Sequence, residues 1–202
     1  MPLIDTALPL LLAWAVFGYL LGSIPFGMVI ARVMGLGNLR DIGSGNIGAT
    51  NVLRTGNKAA AALTLLLDAG KGAVAVLIAR ALASEDAVQI AALAAMIGHC
   101  YPVWLRFAGG KGVATFLGIL IALAWPVGLA CCVVWLIAAA VSRTSSMGAL
   151  AAASASTFLM LFLGYGYAIV LGMLLTLLIF WRHRANIARL RAGTEPRIGQ
   201  KG

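Results

Sequence analysis

Residues 59–83 read AAAALTLLLDAGKGAVAVLIARALA, an apolar run broken by one acid and two bases, Asp68, Lys71 and Arg80. A run of this length exceeds the roughly 20 residues that a helix needs to cross a hydrocarbon layer, so it predicts a transmembrane span. Asp68 and Lys71 stand at i and i+3 within it. Charges at that depth are costly, so they either pair with each other or mark a functional contact. Both readings stay open for Lys71.

Similar runs flank this one at 7–30, 87–105, 113–125, 127–141, 149–164 and 167–181. Several fall short of a full span, which a small bundle with thin or tilted edges accommodates. Pro126 and the Gly164-Tyr165-Gly166 turn divide the later runs into short hairpins. The expectation is an all-α, polytopic integral membrane bundle of seven short transmembrane helices. Five is the alternative, if the short pairs are re-entrant. Composition agrees: AVILMFWYC make up 62% of the 202 residues and charged residues 10%. Soluble domains run nearer half and a quarter, so lipid must be the main solvent. No Ser/Gly-rich or Pro-rich linker divides the chain, and residues 1–202 read as a single domain.

The opening MPLIDTALPLLLAWAVFGYLLG lacks a basic leader, carries Asp5 and continues without an A-x-A site, so it reads as a retained first span. Cys100, Cys131 and Cys132 are odd in number, with two adjacent, and have no zinc spacing; they read as packing residues.

Charge orients the bundle. In a seven-span arrangement 13 of the 15 Lys and Arg fall on one side: Arg32, Arg40, Arg54 and Lys58, then Arg106 and Lys111, then Arg143, then Arg182, Arg184, Arg189, Arg191, Arg197 and Lys201. The opposite loops hold Arg80, beside Glu85 and Asp86. By the positive-inside rule the N-terminus is outside and the C-terminus cytoplasmic. Most of these cations need no role beyond topology.

Topology does not explain the other residues among them. The first cytoplasmic segment, 35–56, is glycine-rich and carries Ser44, Asn46, Thr50, Asn51 and Arg54. Glycines let backbone approach a ligand, and successive N–H groups in such turns form anion-binding nests. Asn51 and Arg54 share a face if the segment closes into a helix. A second segment, 99–115, holds Gly109-Gly110-Lys111-Gly112 at a loop-to-helix junction, followed by Thr115. Lys111 would lie near free N–H groups and the positive end of a helix dipole. The pattern is not the G-x-x-x-x-G-K-[ST] loop, so nucleotide hydrolysis is not implied. Ser142-Arg143-Thr144-Ser145-Ser146 closes the fifth span with hydroxyls that either meet a ligand or cap the next helix. His183 and Asn186, at i and i+3, stand at the cytoplasmic end of the last span. A histidine in a basic tail is usually solvated, but at such a mouth it is a candidate for proton transfer or substrate orientation.

Absences narrow the chemistry. Cytoplasm-side carboxylates are Asp41 and Glu195, with Asp68 in a span, too few for a paired-metal site, and no metal or cofactor is expected. His99 is followed five residues on by Trp104 and His183 by Ala188, so no His-x4-Asp acyltransferase pair is present, and no G-x-S-x-G elbow appears. What remains is a site rich in Arg, Lys, Ser, Asn and Gly, suited to a phosphorylated polar substrate beside an apolar one held in lipid.

Three blocks, Gly43-Ser-Gly-Asn-Ile-Gly-Ala-Thr-Asn-Val-Leu-Arg54, Gly98 through Thr115 and His183 through Gly199, resemble the bacterial acyl-phosphate:glycerol-3-phosphate acyltransferase family. Gly22-Ser-Ile-Pro-Phe-Gly27 and Asp68-Ala-Gly-Lys-Gly72 are similar to it too, and the likeness runs over nearly the whole chain in the family's order. The resemblance implies transfer of an acyl chain from acyl phosphate to the 1-hydroxyl of glycerol 3-phosphate. Lysophosphatidic acid and phosphate are the implied products, as the first committed step of bacterial phospholipid biosynthesis. It also implies an inner-membrane enzyme with its site facing the cytoplasm, coupled to a cytosolic enzyme that makes acyl phosphate, with no nucleic-acid partner.

On that implication Ser44, Arg54, Lys111 and His183 contact phosphate, with Ser142 and Ser145 as weaker candidates, and Lys71 and Thr115 join the substrate-contacting set. Asn46, Thr50, Asn51 and Asn186 orient the glycerol or the carbonyl. Gly109, Gly110 and Gly112 offer backbone N–H donors to phosphate or to the developing oxyanion. His183 or a substrate phosphate oxygen accepts the hydroxyl proton. A transporter of an anionic phosphate compound is the rival, but it should show polar groups through the membrane depth or an internal repeat, and neither is visible. A scaffold binding anionic lipid through its basic tail leaves Ser44, Asn46 and Asn51 unexplained.

Overall fold

The computed structural model describes residues 2–199; Met1 and residues 200–202, with the tail cation Lys201, lie outside the described residues. The helices are α1 (Leu8–Gly22), α2 (Phe26–Val33), α3 (Ala49–Val52), α4 (Lys58–Leu82), α5 (Glu85–Cys100), α6 (Val113–Leu123), α7 (Trp125–Ser142), α8 (Ser145–Phe162), α9 (Ile169–Arg182) and α10 (Arg184–Arg191). No strand occurs among the described residues.

Each apolar run of the sequence is helical, and α1 with α2 forms one run broken at Ser23-Ile24-Pro25. Five segments are long and apolar enough to cross a membrane: Leu8–Val33, Lys58–Leu82, Glu85–Leu105, Trp125–Ser142 and Ser145–Phe162. α9 reaches that standard only together with α10, from which it is bent by 60°. α6, of 11 residues, is the short member. The count of full-length spans is thus five, or six with the bent α9–α10 pair, against the seven expected, and α6 is the apolar helix too short to be counted with them. α6 stops early without stranding its last carbonyls, because Arg80 of α4 donates to Ala122 O at 2.6 Å and Leu123 O at 3.0 Å. Unsatisfied carbonyls at a helix end away from water would otherwise be expensive.

Small residues set the spacing. A Cβ on Gly18 would overlap the Ala91 carbonyl, one on Gly22 that of Ala95, and one on Gly98 that of Tyr19. α1 and α5 therefore meet backbone to backbone, as in helix pairs that associate in lipid by close packing. The enclosed centre is α6, whose Phe116, Ile119 and Leu120 are fully buried against Val76 of α4 and Met96 of α5. Large side chains such as Leu66, Leu77, Leu136 and Phe162 point outward, where lipid covers them.

The two ends of the bundle are tied differently. At one, the Asp86 carboxylate accepts the N–H groups of Asp5 and Thr6 at 3.1 and 2.9 Å, and Gln89 donates to Tyr167 O at 3.2 Å. At the other lie the segments 34–57, 106–112, 142–145 and 182–199, with nearly all the cations.

Candidate active site

The segment 34–57 folds around Asn51. Gly43 and Gly45, with φ of +53° and +64°, turn the chain on either side of Ser44. Asn51, buried, accepts the Ser44 N–H on Oδ1 at 3.2 Å and donates from Nδ2 to Leu39 O at 2.9 Å. It is the strut of the turn rather than a free ligand. Arg54 lies across Gly43, where a Cβ would overlap its side chain. Ser44 and Thr50 are exposed at the surface of this turn, and Asn46 and Arg54 are half-buried.

The glycine loop before α6 is held from both sides. The Gly109 N–H donates to Cys100 O and the Gly110 N–H to His99 O, each at 3.1 Å. From the other side, Arg182 donates through Nε to Gly110 O and through Nη2 to Gly109 O, each at 3.0 Å. A Cβ on Gly110 would overlap the His99 ring, and Gly112, at φ +84°, abuts Met96. One expectation needs correcting here. The N–H groups of Gly109 and Gly110 are committed to the end of α5, so the backbone donors left to this loop are those of Lys111 and Gly112.

Lys111 points into a charged group drawn from the tail. Its ammonium is pushed down to about 8, first by burial and then by the positive charges of Arg189 and Arg182, against the pull of Glu195. Glu195 accepts from Asn186 Nδ2 at 2.6 Å and from Arg189 Nε at 2.8 Å. Burial would raise its carboxyl, but these hydrogen bonds outweigh that and hold it below the usual carboxylate range. Asn186 is buried, and its Oδ1 has no hydrogen-bond partner among the described residues. His183 is buried beside it, with Nδ1 2.8 Å from Ile179 O. A carbonyl can only accept, so Nδ1 carries the proton and the neutral ring keeps its lone pair on Nε2.

Arg40 joins the first two segments, donating to Gly45 O at 3.3 Å and to Ala108 O. The Ile198 N–H donates to Arg143 O at 2.8 Å and ties the tail to the α7–α8 turn. The structure thus gathers the first turn, the glycine loop, the hydroxyl-rich turn and the tail at one end. Ser142 is engaged locally, donating to Ala138 O at 2.6 Å and accepting the Thr144 N–H at 3.2 Å, while Ser145 opens α8.

Lys71 and Thr115 lie next to the glycine loop: the His99 ring that packs on Gly110 has Nδ1 3.7 Å from the Asp68 carboxylate, and Thr115 is in the first turn of α6. Lys71 pairs with Asp68 at 2.8 Å and donates to Ile24 O, at the α1–α2 break, at 2.7 Å. The Thr115 hydroxyl donates to Asp68 O at 2.9 Å. Both side chains are buried and join α4 to its neighbours. Sequence reasoning passed over Arg182, Arg189 and Glu195. Arg182 carried no signal of its own among the tail cations. Glu195 did, as the one carboxylate in a basic segment.

Residues 12–193 match the family model described as glycerol-3-phosphate acyltransferase. A protein named glycerol-3-phosphate acyltransferase from Roseobacter denitrificans is 71% identical over 199 residues, 98% of this chain and 100% of that protein. One of the same name from Ruegeria pomeroyi is 70% identical over 201 residues, 100% of this chain and 99% of that protein. The crystal structure of PlsY (YgiH), an integral membrane glycerol 3-phosphate acyltransferase, in its glycerol 3-phosphate form superposes with a TM-score of 0.88 at 40% identity, covering 94% of this chain and 96% of that one. Its lysophosphatidic acid form gives 0.85 at 37% identity, covering 94% and 95%.

Proposed function

The chain belongs to the glycerol-3-phosphate acyltransferase family, and on that premise we propose that it moves an acyl chain from acyl phosphate to the 1-hydroxyl of glycerol 3-phosphate. The products are lysophosphatidic acid and inorganic phosphate. One observation carries the reading beyond the family name. Lys111, in its glycine loop, shares a charged group with Arg182, Arg189 and Glu195, and the buried His183 lies within reach of its field. A phosphate-binding cation and a candidate proton acceptor thus occupy one end of a bundle whose flanks are lipid-facing.

Two phosphates must be neutralised while the hydroxyl approaches the acyl carbonyl in line for attack. Lys111, Arg54 and Ser44 supply the charge and hydroxyl donors. Ser142 and Ser145 are weaker contributors, and Asn46 and Thr50 border the same turn. The unpartnered Asn186 Oδ1 is an acceptor for a glycerol hydroxyl, and Asn186 itself is fixed by Glu195. Attack forms the new ester C–O bond and a tetrahedral oxyanion, which the Lys111 and Gly112 N–H groups are suited to meet. Collapse breaks the acyl–phosphate bond. The hydroxyl proton passes to His183 Nε2 or to an oxygen of the departing phosphate.

The excess of Lys and Arg at this end supports a cytoplasmic face for it, with the N-terminus outside, in the bacterial inner membrane that the proposed reaction calls for. A cytosolic enzyme producing acyl phosphate would feed it there. The test gives purified protein, in detergent or lipidic mesophase, acyl phosphate and glycerol 3-phosphate while phosphate release is followed. Acyl-carrier-protein and acyl-CoA thioesters run in parallel. Turnover confined to acyl phosphate is expected, and folded protein that releases none overturns the donor assignment. His183→Gln with near-normal turnover would leave the proton to the substrate phosphate.

A further inference from the structure

The end of α9 holds two adjacent residues with different duties. His183 faces the reacting groups in the reading above, while the Arg182 guanidinium lies 4.9 Å above the Tyr101 ring and forks onto two successive carbonyls, Gly109 O and Gly110 O. A guanidinium presents parallel donors in one plane, a geometry that an ammonium lacks.

A trans peptide is planar, with its C=O and N–H pointing in opposite directions. In the Gly109–Gly110 peptide the oxygen faces Arg182 and the N–H faces His99 O, so the unit is gripped at both ends. In the Gly110–Lys111 peptide the oxygen also faces Arg182, which turns the Lys111 N–H away from the guanidinium. Only glycine fits here, because the His99 ring fills the place a side chain would take at Gly110. With no side chain to restrict it, such a loop has wide conformational freedom, and something outside it must choose one state.

We infer that Arg182 is a positioning residue that sets the direction of the Lys111 N–H and side chain by clamping the two glycine carbonyls, registering the phosphate loop against His183 on the same helix. This rests on the acyltransferase reading of the site. Arg182 acts through the loop and needs no contact with substrate.

The test uses the full-length protein with Arg182→Lys and Arg182→Gln, and Tyr101→Leu as a milder perturbation of the same clamp. kcat and KM for each substrate are measured with hydrogen–deuterium exchange of peptides spanning residues 109–112 and a thermal unfolding midpoint. Both Arg182 variants should lose roughly ten- to hundredfold in kcat/KM, the scale of a misplaced binding group. Arg182→Lys should be no better than Arg182→Gln, because the fork and not the charge does the work. Exchange at Gly109 and Gly110 should accelerate while the midpoint holds. Tyr101→Leu should cost about two- to fivefold, the scale of one cation–π contact. Wild-type kcat/KM in Arg182→Lys overturns the proposal. So does lost turnover with unchanged loop exchange, which would put Arg182 directly on the substrate. Should both Arg182 variants fail to fold, Tyr101→Leu decides alone, and unchanged exchange and turnover in it overturn the clamp. A wild-type protein inert towards acyl phosphate would sink the functional reading instead, while loop exchange would still report the clamp.

Discussion

At the scale of single residues, the site depends on atoms that are absent as much as on those present. Gly110 has no Cβ because the His99 ring occupies its place, whereas Gly56 has nothing within 4 Å. Gly110→Ala should therefore abolish most turnover by displacing the loop from its clamp. Gly56 sits at φ +86°, so Gly56→Asn, a residue that tolerates this conformation, should leave kcat/KM within about twofold. Steady-state kinetics on the two variants compares them directly. Lys111 makes a second prediction through its charge. Its pKa is pushed down to about 8, so the ammonium is present below that pH and lost above it. Glu195, Arg189, Arg182 and His183 are the groups that face it. If the charged form holds phosphate, KM for one phosphorylated substrate should rise above pH 8, by about tenfold per pH unit in the limit. Lys111→Arg should remove that alkaline limb, since a guanidinium keeps its proton throughout the range. A flat KM up to pH 10 in the native enzyme would take Lys111 out of phosphate binding.

At the scale of elements, α6 shows how tertiary partners license a helix that its own length does not. Its 11 residues span about 16 Å at 1.5 Å per residue, half a membrane. It persists because its core face is buried and because Arg80, from another helix, satisfies its final carbonyls. Arg80→Leu should strand the Ala122 and Leu123 carbonyls and destabilise the fold by about 1–3 kcal/mol. Unfolding in detergent measures this, and kcat/KM of the folded protein should stay unchanged because Arg80 is at the end of the bundle opposite the site. The break between α1 and α2 follows the same logic. Pro25 interrupts the helix, and Lys71, already paired with Asp68, reaches across to Ile24 O. The sequence left Lys71 between a structural pair and a ligand contact. The structure adds to the pair a carbonyl 47 positions away, a partner that no local pattern could supply.

At the scale of the whole molecule, the prediction concerns orientation. Ala192→Cys, exposed at the basic end with an ordinary backbone conformation, should react with a membrane-impermeant maleimide only after cells are opened, and Leu3→Cys, at the other end, before. The reverse pattern would invert the assigned topology. The three native cysteines interfere little, since Cys100 and Cys131 are buried and Cys132 is half-buried within the apolar α7. What the sequence by itself determined was the solvent, the apolar segments and the family. Each is a property of composition and local order, because a lipid-spanning chain must satisfy its backbone within its own helices. It also marked Ser44, Arg54, Lys111, His183 and Asn186 as unusual company for topogenic charge. Only the tertiary structure decided which polar groups are already engaged. Asn51 braces a turn, Thr115 and Lys71 bind the bundle, and Arg182, read as one more tail cation, grips the glycine loop. A hydrogen bond joins residues that are near in space, which for Arg182 and Gly109 means 73 positions apart in the chain. Residue type fixes what a side chain can donate, and packing alone fixes to whom.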